Sequence, residues 1–82
     1  MVEIEGKVSN TFISILIELG ACRSYLSPKI VDLCKLDKVK HEKPWIVQLA
    51  MGTKSKVSEL VRGCELNLNG FPARINFNIL PL

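Results

Sequence analysis

The chain has 82 residues, 48% hydrophobic and 23% charged, with a net charge of +3. That balance excludes a disordered charged tail, and the mild positive charge is spread rather than clustered, which argues against a nucleic-acid-binding surface. A chain this short buries only about 60–65% of the surface that it exposes when unfolded, so residues 1–82 read as one domain with a thin core that an oligomer would help complete. Cys22, Cys34 and Cys64 are odd in number and lack metal-ligand spacing, and His41 is the lone histidine. We therefore expect reducing surroundings, no disulfide framework, no metal and no cofactor. With no basic-then-apolar leader and no long apolar run, the sequence reads as soluble and intracellular, with no membrane partner.

Val2 to Ser9 alternates loosely, Ser9-Asn10 supplies turn chemistry, and Thr11 to Ile17 returns as a second strand. Ile13, Ile15 and Ile17 share one face of that strand and Phe12, Ser14 and Leu16 the other, so both faces are expected to be covered. The strand ends at Glu18, and Gly20-Ala21 makes a turn into a short extended piece. Ser27 is a helix N-cap with Pro28 at the first helical position, and the helix is predicted to end near Lys35 or Leu36. Its buried face is read as Ile30, Leu33 and Cys34, with Leu26 before the cap packing on Val31.

Asp37 to Lys43 reads as a solvated charged loop, and His41 as a surface loop residue. No aromatic interleaves its lysines for base stacking. Pro44 to Met51 is a strand, Gly52-Thr53 a turn, and Lys54 to Val61 the partner strand. Arg62-Gly63 marks a bend or bulge. Cys64, Leu66 and Leu68 then alternate with Glu65, Asn67 and Asn69; after the Asn69-Gly70 turn signal, Ile75, Phe77 and Ile79 alternate with Arg74, Asn76 and Asn78. This is a register-specified hairpin, and the sequence as a whole is mainly β with one short helix.

The stretch Ile13 to Pro28 places a carboxylate where an apolar strand runs onto a glycine turn, which sets an acid at the floor of a cleft. The order of its parts (apolar strand, Glu18-Leu19-Gly20-Ala21, then Ser24-Tyr25-Leu26-Ser27 into a helix) resembles the active-site segment of retroviral and retrotransposon aspartic proteases. The likeness extends through the Val47-to-Thr53 hairpin and the Asn-Gly hairpin to Asn78-Ile79-Leu80-Pro81-Leu82. It is most similar to the protease domain of plant long-terminal-repeat retrotransposon (Gag-Pol type) polyproteins.

The resemblance implies a small closed β-barrel of retropepsin type and a homodimer meeting at Leu19, Gly20 and Ala21. It also implies a flap whose tip, Ala50-Met51-Gly52-Thr53, binds an extended peptide or polyprotein substrate. In the family two aspartates, one per protomer, share a proton around the attacking water, with a hydroxyl residue after each bonding across the dimer. Here Glu18 and Leu19 hold those positions. The family's closing strand and helix would lie beyond Leu82, so by that comparison the domain is truncated at its C-terminus. Three functions remain open: an inactivated protease domain that keeps the dimeric fold, a weak aspartic endopeptidase using paired Glu18 carboxylates, and a non-enzymatic peptide-binding or assembly module.

Overall fold

The computed structural model describes residues 1–49 and 51–81. Seven elements follow in order: β1 (Val2–Val8), β2 (Thr11–Glu18), β3 (Arg23–Leu26), α1 (Pro28–Leu33), β4 (Val39–Gln48), β5 (Lys54–Leu68) and β6 (Phe71–Ile79). The strands lie in the order β1-β2-β3-β6-β5-β4, and β1 returns to pair with β5 at Lys7 and Asn67. Five strands thus close a ring, and β4 hangs from β5 outside it. The expected mainly-β, retropepsin-like architecture is what the protein adopts.

The ring follows from its turns and its alternation. Ser9 and Asn10 both take positive φ, 46° and 67°, and Val8 pairs with Thr11 across that tight turn. At the second tight turn Asn69 has φ 50° and Gly70 φ 90°, with the Gly70 N–H donating to Asn67 Oδ1 at 2.7 Å. Two successive positive φ values match the twist of the flanking strands. Between the turns, Val8, Ile13, Ile15, Val61, Cys64, Leu66, Phe77 and Ile79 turn inward to form the main core, which Leu26 and Val31 join. Gly6 is closely packed in this core: a Cβ there would lie 3.0 Å from Ile15 Cδ1 and 3.2 Å from Leu66 Cδ1. A side chain there would press on the tips of Ile15 and Leu66, which would have to give by a few tenths of an ångström.

Ser27 caps α1 through its Oγ, which accepts from the Ile30 N–H at 3.3 Å. The helix ends at Leu33, two to three residues short of the predicted end: Cys34 is its C-cap and Lys35 already has φ 53°, which terminates the turn. Its buried face also differs from expectation. Ile30 and Cys34 pack half-buried on the main core as expected, but Val31 is the buried residue and Leu33 is exposed, because the stripe runs through Ile30, Val31 and Cys34. Leu26 and Val31 share the main core, as the staple reading required.

Two other expectations are corrected. β2 is internal in its pairing, yet its second face is covered only toward its end: Ile13 and Ile15 are buried on one face, while on the other Leu16 is half-buried and Phe12 is exposed with Lys7 over its ring. One face of a ring strand sees the core, and the other is covered only where something packs outside the ring. The region read as a charged loop is strand from Val39 onward, because Val39 and Lys40 pair with Leu60 and Glu59. The predicted bend at Arg62-Gly63 is present as a register shift in the β5–β6 pairing, where the Gly63 N–H donates to Asn76 Oδ1 at 2.8 Å. Leu82, the last residue of the closing motif, lies outside the described residues. Leu80 just before it is fully buried, and Ser55 Oγ donates to the carbonyl of Pro81.

Candidate active site

Strand register alone gathers the first part of the site. β2 and β3 pair antiparallel, with Leu16 opposite Tyr25 and Glu18 opposite Arg23. Because side chains alternate with period two, Leu16, Glu18, Arg23 and Tyr25 must share one face. The Tyr25 hydroxyl donates to Glu18 Oε1 at 2.9 Å, and Arg23 Nη1 stands 3.9 Å from the same oxygen. The Glu18 side chain keeps 34% of its exposure. Tyr25 is wholly buried in a second, smaller core with Val47, Val57 and Leu80, bordered by Leu16, Trp45 and Leu49. Burial pushes the Tyr25 phenol above its ordinary pKa, and the neighbouring Glu18 carboxylate adds to the rise.

The second part comes from β4. Lys40 pairs with Glu59 and Trp45 with Val57, so residues 41–44 on β4 face the single residue Ser58 on β5. This bulge turns β4 toward β3 and β6. The Trp45 ring then lies beneath the Arg23 guanidinium, 4.4 Å from centroid to Cζ. His41, read from sequence as a loop residue, is half-buried in the bulge. Its ring stands edge-on to Trp45 at 4.8 Å, and its Nε2 is 2.8 Å from Asn78 Oδ1. With Nε2 carrying the proton, that contact is a hydrogen bond from β4 to β6. The Trp45 Nε1–H is buried without an acceptor among the described residues.

The turn after Glu18 is open. Leu19 is 68% exposed, Gly20 and Ala21 are exposed, and no atom lies within 4 Å of a Cβ built at Gly20. Of the four predicted tip residues, Ala50 lies outside the described residues, while Met51, Gly52 and Thr53 are exposed. The tip is closed by Leu49 N–H to Thr53 O at 2.8 Å and Gly52 N–H to Leu49 O at 2.9 Å. Among the described residues, the hairpin's polar and stacking links toward the Glu18 face run through His41 and Trp45 at its base, with none from the tip. Sequence reasoning placed Glu18 and missed Arg23, His41, Trp45 and Asn78. The Glu18–Arg23 pairing could have been counted across the turn, but the bulge could not.

Among the described residues no three His, Cys, Asp or Glu side chains converge as a metal site, and no helix is long and apolar enough to cross a membrane. The arrangement is a partly exposed carboxylate on the β2–β3 face, bordered by an exposed apolar turn. A family model described as retroviral aspartyl protease matches residues 2–82. No curated protein and no solved structure matches the sequence.

Proposed function

The chain belongs to the retroviral aspartyl protease family, and from that premise we propose a retropepsin-like domain that assembles as a twofold dimer with little or no peptidase activity. The observation that carries this reading is the state of the acid. Glu18 Oε1 accepts the Tyr25 hydroxyl at 2.9 Å beside Arg23, and the neighbouring Leu19 is apolar and exposed. A carboxyl pair hydrolyses a peptide bond when one member is acid and the other base, both facing one water. The extra methylene of Glu18 displaces its carboxylate by about 1–1.5 Å from where an aspartate would sit, and an error of that order can cost ~100-fold. Leu19 has no hydroxyl to bond across the dimer beneath the pair.

The dimer is supported by the form of the turn. An exposed Leu19 followed by Gly20 and Ala21 is an apolar, low-profile surface that suits an isologous contact, and one carboxylate per protomer is half a site. In this reading the β4–β5 hairpin is the flap, Met51, Gly52 and Thr53 lie over the bound ligand, and that ligand is an extended peptide such as a polyprotein segment. A second reading, a weak aspartic endopeptidase, draws on the exposure that Glu18 retains, since a substrate could still reach it.

Peptide cleavage assayed at about pH 4–6, where a carboxylate pair holds one shared proton, separates the two. The unmodified protein is expected to be inactive. Glu18→Asp combined with Leu19→Thr is expected to restore cleavage beyond the product of the single changes, as coupled neighbours do. Cleavage by the unmodified protein that Glu18→Gln abolishes would establish the second reading instead. Sedimentation showing only monomer at high micromolar concentration would remove the dimer.

A further inference from the structure

Burial gives the Tyr25 hydroxyl a fixed position, and a charged acceptor 2.9 Å away makes a strong hydrogen bond. Arg23 differs. Its side chain is 43% exposed, and at 3.9 Å a solvated ion pair holds little by itself. What gives the guanidinium a defined place is the face of Trp45, 4.4 Å from its Cζ. Trp45 in turn is held at the base of the hairpin by the bulge and by His41, which is bonded to Asn78 of β6. A continuous set of contacts therefore runs from Glu18 through β3 to the hairpin.

We propose that Tyr25 and Arg23 are positioning residues for the Glu18 carboxylate, and that Trp45 makes their hold conditional on docking of the β4–β5 hairpin. When the hairpin is seated, Trp45 supports Arg23, Val47 and Val57 pack Tyr25, and the carboxylate is drawn toward β3. When it lifts, both supports loosen together and Glu18 is released. For its catalytic meaning the inference rests on the reading of Glu18 as the family's acid position, but the clamp itself stands on contacts within one protomer.

The simpler account is that a buried phenol needs an acceptor and Glu18 happens to provide one. Glu18→Gln separates the two. Glutamine keeps the shape and an accepting oxygen, which satisfies the phenol, but it removes the charge that engages Arg23. The protein has one tyrosine and one tryptophan, so each chromophore reports a single position. In either account Glu18→Gln moves the phenolate absorbance midpoint of Tyr25 to lower pH, since a neighbouring negative charge is lost; if the clamp exists, the emission of Trp45 moves as well, because the guanidinium on its face no longer faces a carboxylate. Trp45→Leu, read by the Arg23 Nε–H resonance, is expected to broaden that signal, because the ring that gives the guanidinium its place is gone. An unchanged Trp45 emission in a folded Glu18→Gln protein would overturn the clamp, whatever Tyr25 does. Glu18 is partly exposed, so this variant is expected to fold, and circular dichroism checks it. None of these readouts needs substrate: cleavage by the unmodified protein would overturn the proposed inactivity and leave the clamp standing, while silent spectra would do the reverse.

Discussion

The long strand β5 is shared by two hairpins built on different terms. From Leu60 to Leu68 it pairs with β6 in a regular ladder, broken once at Gly63, and one face supplies Val61, Cys64 and Leu66 to the main core. From Lys54 to Leu60 it pairs with β4, where a four-residue bulge interrupts the ladder and the tip carries Met51 at 94% exposure. The regular half commits its side chains to packing. The irregular half gives up ladder bonds and aims His41 and Trp45 at the surroundings of Glu18. The main core thus rests on one half of that strand's pairing, and the smaller core with the candidate site on the other.

The sharpest test of that division is a pair of substitutions. Phe77, fully buried on β6, faces the main core; Phe77→Ala is expected to cost about 3–5 kcal/mol through lost burial and a residual cavity. For 82 residues the whole stability is of order 4–12 kcal/mol, so this one change removes a quarter or more of it. Met51→Ser at the hairpin tip should stay within about 0.5 kcal/mol. Urea titrations of the two variants check this, and a comparable loss at Met51 would break the comparison.

A smaller effect sharpens it. Helix α1 leans on the regular half through Val31, and Ser27→Ala should cost about 1 kcal/mol by leaving the Ile30 N–H without its acceptor. The melting midpoint should fall while Trp45 emission in the folded state stays put. A shift in that emission would mean the two halves are not independent.

Last comes a slope with pH, to which each half contributes one group. Burial raises the Cys64 thiol above its ordinary 9.0, helped by Cys34 and Glu65, and burial raises the Tyr25 phenol above its ordinary 10.0. Both hold their protons more tightly folded than unfolded, so their contribution is full below about pH 9. It begins to fall once the unfolded thiol ionises near 9.0, falls further past 10.0, and is lost as pH rises through the folded values. Denaturant midpoints at about pH 8, 9.5 and 11 should decline in that order. Cys64→Ala should flatten the first interval and reduce the decline in the second to the tyrosine's share; equal slopes in both proteins would contradict the assignment.

Most of the ring was legible in the sequence, and the physical reason is local. The Ser9-Asn10 and Asn69-Gly70 turns, the Ser27-Pro28 helix start and the alternation from Cys64 to Ile79 are each set by residues a few positions apart, through φ preference, capping and period-two burial. Even the position of Glu18 at the end of an apolar strand came from nearest neighbours. What surrounds Glu18 did not. The stretch 37–43 is mostly charged and reads as loop, yet from Val39 it becomes strand because β5 offers it a partner with an open edge. His41 is half-buried because that pairing slips by several residues and turns the bulge inward, and no local propensity encodes a slip. Trp45 meets Arg23, and Tyr25 meets Val57 and Leu80, only after β6 has run parallel beside β3 and carried β5 and β4 with it. The sequence by itself determined where the strands, turns and acid lie. The tertiary structure decided what holds the acid, because those contacts join residues from four strands whose adjacency depends on the closure of the sheet.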